Sequence, residues 1–260
     1  MALAITDDGV SLFWTEDGPA DAPVLLLCNS VGSTVRMWAP QIEAFSARYR
    51  VIRHDARGHG RSDAPAADYT LERLALDALT VLDAAGAGRV HICGLSLGGM
   101  VAQQVALQSP DRLDRLVLAN TAARIGAVDG WNQRIAAVRE GGLEGIADMA
   151  IARFFSADFI AANPEAVTPV LEDLKATSPD GYNGACAALR DADVTERVGS
   201  ITAPTLVIGG TGDVSTPPAQ TQDLADRIPG ARHYVLGAAH LSNIEQATTF
   251  TAAVLDHLES

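Results

Sequence analysis

Basic side chains are scarce in this chain, and one kind is nearly missing. Lys175 is the single lysine, so arginine provides almost all of the 19 basic residues set against 32 acidic ones. The resulting formal charge of −13 argues against a nucleic acid or an anionic membrane as partner, because both call for a cationic face. Cysteine is as sparse: Cys28, Cys93 and Cys186 are odd in number and far apart, which fits neither a disulfide framework nor a zinc knuckle. A reducing cytoplasm is the expected compartment. No apolar run approaches the ~20 residues that span a bilayer, and the first ten residues lack the basic start and apolar core of a signal peptide. Repeats and low-complexity tracts are missing as well. Apolar residues are plentiful, 48% of 260, enough for one large domain with a substantial core.

The apolar residues are arranged in a rhythm. Continuous runs at 24–28, 90–93, 113–119 and 205–208 read as strands covered on both faces, and 10–15, 49–54 and 231–236 as further strands. Helical patterns at 38–47, 70–85, 100–108, 219–228 and 242–258 fall between them, the last opening on a Ser242/Glu245 capping box. Such alternation makes a mostly parallel sheet with helices on both faces. Between 121 and 197 the rhythm stops. Helical patterns there are broken by Gly141-Gly142, Asn163-Pro164 and Ser178-Pro179, with Asn163 and Ser178 placed to cap helices that start on proline. This segment reads as a helical cap inserted into an α/β core made of residues 1–120 and 198–260, lying over the C-terminal edge of the sheet.

That edge is where the chemistry gathers. Cys93-Gly94-Leu95-Ser96-Leu97-Gly98-Gly99 is a Gly-x-Ser-x-Gly sequence between a strand and a helix, the pattern of a nucleophile elbow. The sharp turn forces the serine into strained backbone geometry and exposes its hydroxyl, while glycine at 94 and 98 removes Cβ atoms that would collide; a plain glycine turn is the alternative. A serine hydroxyl needs a base. Of six histidines only His240 lies in a loop directly after a strand and beyond the serine. His54 and His59 have no further ligands at zinc-like spacing, so they read as parts of a hydrogen-bonded loop rather than a metal site. Asp213, in the glycine-bearing turn after 205–208, precedes His240 by room for one helix and one strand, and completes the order Ser, Asp, His. Asp213 could also be a helix cap, and Asn120, at the other candidate tip, cannot carry the charge. Backbone N–H groups of Leu97 and of Val31, in the loop after 24–28, are the expected oxyanion donors.

With these residues in place, the chain resembles the α/β-hydrolase superfamily over nearly its whole length, and within it the 3-oxoadipate enol-lactonases. The likeness is carried by Asn29-Ser30-Val31-Gly32, Met37-Trp38-Ala39-Pro40-Gln41, Asp55-Ala56-Arg57-Gly58-His59-Gly60, Asn120-Thr121-Ala122-Ala123-Arg124-Ile125-Gly126 and His240-Leu241-Ser242-Asn243-Ile244-Glu245. Val31, Ser33 and Leu97 depart from that family's leucine, threonine and methionine. The resemblance implies an α/β-hydrolase fold with a mostly parallel eight-stranded sheet. It also implies a serine hydrolase that opens 3-oxoadipate enol-lactone to 3-oxoadipate, in bacterial breakdown of protocatechuate and catechol, without cofactor or metal. Its substrate carries a carboxylate, which so acidic a protein must meet with a local cation. Arg134, three residues after Trp131 on one helix face, is the first candidate and Arg124 the second, with a solvated surface arginine as the alternative. A broad carboxylesterase or perhydrolase using the same triad, and a ligand receptor on this fold, are the rival readings.

Overall fold

The computed structural model describes residues 2–260, and its centre is one eight-stranded sheet. The strands are β1 (Ala2–Ile5), β2 (Ser11–Asp17), β3 (Val24–Cys28), β4 (Arg50–His54), β5 (Val90–Leu95), β6 (Leu113–Ala119), β7 (Thr205–Gly210) and β8 (Arg232–Leu236). Their order across the sheet is β1-β2-β4-β3-β5-β6-β7-β8, with β1, β2 and β4 paired antiparallel and every later pair parallel. Side chains alternate between the faces. Leu26, Ile92, Leu116 and Leu118 enter one core cluster and Leu25, Leu27, Cys93 and Val117 the other, which is why the central strands read as unbroken apolar runs. Helices α1 (Ala39–Ser46), α2 (Leu71–Ala84) and α3 (Leu97–Gln108) follow β3, β4 and β5. Phe45 of α1 belongs to one cluster, and Leu74 of α2 and Val105 of α3 to the other.

Between β6 and β7 the described chain forms helices only. These are α4 (Val128–Gly141), α5 (Ala147–Phe154), α6 (Ala157–Ala162), α7 (Pro164–Ala176) and α8 (Pro179–Asp191), with a short 3-10 turn before α5 and another before β7. Helix α8 meets the loop after β4 backbone to backbone: a Cβ on Gly181 would stand 2.2 Å from the Gly58 carbonyl oxygen. Only hydrogen fits at that crossing. The remaining helices are α9 (Pro218–Arg227), α10 (Ser242–Glu245) and α11 (Ala247–Glu259).

Four local expectations need correction. Strand β1 went unrecognised because its apolar side chains face water: Leu3 and Ile5 are 59% and 61% exposed while small Ala4 is buried, the reverse of the usual edge pattern. The helix expected at 38–47 is divided into a 3-10 turn, Val35–Trp38, and α1. Asn163 precedes α7 without a side-chain cap bond, whereas the Ser178 hydroxyl does accept from the Gly181 N–H. The 242–258 helix is broken at Gln246, and its capping box does not form. Ser242 donates to Asn120 Oδ1, and Glu245 accepts from the Ser156 and Ala239 N–H groups. Ser242 finds Asn120 and Glu245 finds Ser156, both far away in sequence, and these bonds outcompete a local cap.

Candidate active site

Ser96 sits between the last residue of β5 and the first of α3, with φ 58° and ψ −116°, a left-handed conformation that L-residues other than glycine seldom adopt. The surroundings over-determine it. Its N–H donates to the Ala119 carbonyl at 3.0 Å, and its carbonyl accepts from Met100 N–H at 3.0 Å and from Thr121 Oγ1 at 2.9 Å. Strand and helix approach so closely that a Cβ on Gly94 would lie 2.1 Å from the Gly98 carbonyl oxygen, and one on Gly98 2.1 Å from that of Cys28. Glycine at both positions is therefore a packing requirement.

Asp213 and His240 come to this edge from the ends of β7 and β8. His240 is 3% exposed, and its Nδ1 lies 2.8 Å from Asp213 Oδ2. A carboxylate oxygen only accepts, so Nδ1 carries the proton and Nε2 is the basic nitrogen of the neutral ring. Asp213 is heavily solvated by protein: Ser215 and Thr216 N–H groups bind Oδ1 at 2.8 and 3.0 Å, and Thr216 Oγ1 and Asn120 Nδ2 bind Oδ2 at 2.7 and 3.0 Å. Burial alone would raise its carboxyl, but His240 and these donors outweigh it and hold the group below the usual carboxylate range. The helix after Asp213 begins on Pro218 behind Pro217, so the acid caps its own turn and not α9.

Asn120 escaped the sequence reading except as an acid that could not be. At the tip of β6 it adopts φ 45°, is fully buried, donates to Asp213 and to the Ala239 carbonyl, and accepts from Ser242. An aspartate here would face Asp213 across a hydrogen bond with no proton in it; an amide gives that bond a donor. The signal available was its place at a strand tip.

Ser96 and His240 open onto one cavity of about 130 Å³, together with Val31 and Ser215 from strand-end loops. The opposite wall is helical: Trp131 and Arg134 of α4, Arg153 and Phe154 of α5. The Phe154 ring stacks on His240, centroids 6.1 Å apart, and its carbonyl accepts from Leu241 N–H at 2.8 Å, which ties α5 to the loop bearing the base. Trp131 donates to the Ile125 carbonyl and lies beneath the Arg134 guanidinium, 5.3 Å from ring centre. Among the described residues Arg134 reaches Tyr182 Oη at 3.5 Å but no carboxylate. Arg153, overlooked in the sequence because nothing in its spacing marks it, makes no hydrogen bond or ion pair with another described residue. Arg124 is not part of this cavity; it is exposed and pairs with Asp193 at 3.3 Å. Among the described residues neither Val31 N–H nor Leu97 N–H donates to a backbone carbonyl, so both remain available to a ligand.

Comparison with known proteins agrees with this geometry. The family model for the alpha/beta hydrolase fold matches residues 23–247. The 3-oxoadipate enol-lactonase 2 of Acinetobacter baylyi is 39% identical over 250 residues, 96% of this chain and 94% of that protein. A putative carbamate hydrolase RutD of Variovorax paradoxus is 32% identical over 254 residues, 95% and 96% of the two chains. The crystal structure of the enol-lactonase from Burkholderia xenovorans LB400 superposes with a TM-score of 0.98 at 39% identity, each chain covered in full. The strained serine at a strand-to-helix turn, the sheet order and these relatives agree: the chain is a hydrolase, belongs to the α/β-hydrolase family and, within it, resembles the 3-oxoadipate enol-lactonases.

Proposed function

We propose that this protein opens 3-oxoadipate enol-lactone to 3-oxoadipate through an acyl-enzyme, as a step in aromatic catabolism, with Ser96 as nucleophile, His240 as base and Asp213 as the acid that fixes it. One observation carries the reading. The cavity that holds Ser96 and His240 also presents two arginines, Arg134 and Arg153, that have no carboxylate partner within the described chain, in a protein of charge −13. A surplus of acid elsewhere makes an unneutralised arginine pair at a cavity wall a receptor for an anionic substrate.

The chemistry follows from the ring nitrogens. His240 Nε2 takes the Ser96 proton as Oγ attacks the lactone carbonyl, and Asp213 stabilises the imidazolium without taking its proton. The oxyanion is met by Val31 and Leu97 N–H, the second at the positive end of α3. The ring C–O bond then breaks, and the leaving oxygen is an enolate, a better leaving group than an alkoxide, which accepts the proton from His240. Water deprotonated by the same nitrogen attacks the acyl-enzyme, Ser96 regains its proton, and the released enol becomes the ketone. Residues 121–197 act as the cap that closes this cavity over the core formed by 1–120 and 198–260, and small-molecule lactones are the partners the cavity accommodates. Arg134 and Arg153 hold the substrate carboxylate, Trp131 supports Arg134, and Arg124 is left to the surface.

The test is to generate the enol-lactone and follow its absorbance beside an aryl acetate and a carbamate. Consumption of the lactone with the highest kcat/KM, abolished in Ser96→Ala, supports the reading. Turnover of the aryl acetate or the carbamate alone identifies a different hydrolase, and retained activity in Ser96→Ala removes the mechanism.

A further inference from the structure

The Val31 amide has to be aimed, and the loop that carries it has no secondary structure to aim it. Two peptide planes decide its direction. The first joins Ser30 to Val31: the Ser30 carbonyl accepts from Ser33 Oγ at 2.7 Å and from Ser33 N–H at 3.3 Å, and in a trans peptide the Val31 N–H then points the opposite way. The second joins Val31 to Gly32, and its N–H donates to His59 Nε2 at 2.9 Å. With both planes held, φ and ψ of Val31 are held too.

His59 comes from the loop after β4, 27 residues beyond Gly32, and is 1% exposed. Its role as acceptor settles its chemistry. A backbone N–H only donates, so Nε2 is unprotonated; Nδ1 lies 3.2 Å from the Arg57 carbonyl, which only accepts, so Nδ1 carries the hydrogen. The ring is the neutral Nδ1–H tautomer. An imidazolium could not receive the Gly32 N–H. The same loop takes the Val35 N–H on Asp55 Oδ1 at 2.8 Å, so the far end of the segment is fixed as well.

We propose that His59 is a positioning residue for the oxyanion site: by occupying the Gly32 N–H it locks the Val31–Gly32 peptide and leaves the Val31 N–H as the one amide of the pair free to meet the developing charge. The inference rests on the serine-hydrolase reading above, and deepens it. His59 acts through the loop and touches no reacting atom. A satisfied acceptor at position 59 is required, and the imidazole itself is not.

The experiment compares His59→Gln, whose amide oxygen reaches about as far as Nε2, with His59→Leu and His59→Asn, which place no acceptor there. Each is measured for kcat, KM and inhibition by phenylboronic acid, whose tetrahedral Ser96 adduct places an oxygen in the oxyanion site. The Leu and Asn variants are expected to lose about ten- to a hundredfold in kcat, less than the ~10²–10³ of removing a donor outright, with KM little changed and boronate affinity reduced in proportion. The Gln variant keeps most of both. If Leu at 59 fails to fold, the Gln and Asn pair carries the same comparison. Equal kcat and equal boronate affinity in Gln and Asn overturn the proposal, as does a folded Leu variant with wild-type kcat. Ser96→Ala, run alongside, separates the two levels: its retained activity removes the hydrolase reading, whereas an inactive Ser96→Ala beside a fully active His59→Leu removes only this one.

Discussion

The two walls of the cavity are built on opposite principles. On the strand side, the groups that position the catalytic residues are themselves held. Asp213 has four donors besides His240, Asn120 is bound on both sides of its amide, and the loop through Val31 is tied at Ser30, Gly32 and Val35. On the helical side, Arg134 has a tyrosine and an indole face, and Arg153 has nothing within the described chain. The difference separates two tasks. Groups that move protons and meet transient charge have to be in position before the substrate arrives, so the fold ties down the neighbours that hold them and leaves only their reacting atoms open. A cation that recognises a substrate works through valences the fold leaves open.

The largest break in this contrast is expected at its most saturated point. Asp213→Asn keeps the shape but lets Nδ1 of His240 meet a donor, so the ring loses its tautomer; kcat should fall by ~10⁴ while the melting temperature moves little. A loss under tenfold would mean that the strand-side network is structural only.

Acid should attack the same wall by a second route. Burial pushes His54 and His59 down to about 4 from an ordinary value of 6.5. Between those limits the unfolded chain binds protons that the folded one refuses, so stability present above pH 6.5 is lost as pH falls toward 4. Each histidine contributes a slope of up to about 1.4 kcal/mol per pH unit. Urea unfolding at pH 7, 6 and 5 measures it, and a flat profile would show that neither ring is buried neutral.

A third expectation concerns how the helical segment is seated. Gly181→Ala drives a methyl into the Gly58 backbone, where nothing can rotate aside, and should cost about 1–3 kcal/mol in urea unfolding. An unchanged unfolding midpoint would show that α8 does not rest on the loop after β4. The smallest effect belongs to the open valences. Arg134→Ala and Arg153→Ala should each raise KM for the carboxylate-bearing lactone about tenfold, near 1.4 kcal/mol, and leave a neutral aryl ester unaffected. Equal changes on both substrates would remove the carboxylate role and with it the functional half of the contrast.

The strand side was also the more legible side. A Gly-x-Ser-x-Gly turn after a buried strand, a histidine directly after another and an aspartate between them are features of chain order, and local sterics at Gly94 and Gly98 enforce the turn wherever it occurs. The proposed donors Val31 and Leu97 followed from their positions in loop and helix start. Arg153 was invisible because its meaning is an absence of partners, which spacing does not encode. Arg124, the second candidate behind Arg134, is removed from the cavity by Asp193, a partner distant in sequence. The Ser242/Glu245 capping box failed for a related reason: a local motif competes with long-range partners, Asn120 and Ser156, that only the packed chain presents.

Periodicity, glycine placement and chain order are local or one-dimensional, and they were enough for the α/β architecture, seven of the eight strands with their mostly parallel character, and the identity of Ser96, Asp213 and His240 as candidates. Which charges are neutralised, which amides are left free and which tautomer His59 adopts depend on groups tens to hundreds of residues apart. Folding brings Asn120 to Asp213, His59 to Gly32 and Phe154 to His240. Those pairings hold because a buried donor or acceptor without a partner is costly, and that cost is levied in three dimensions and not along the chain.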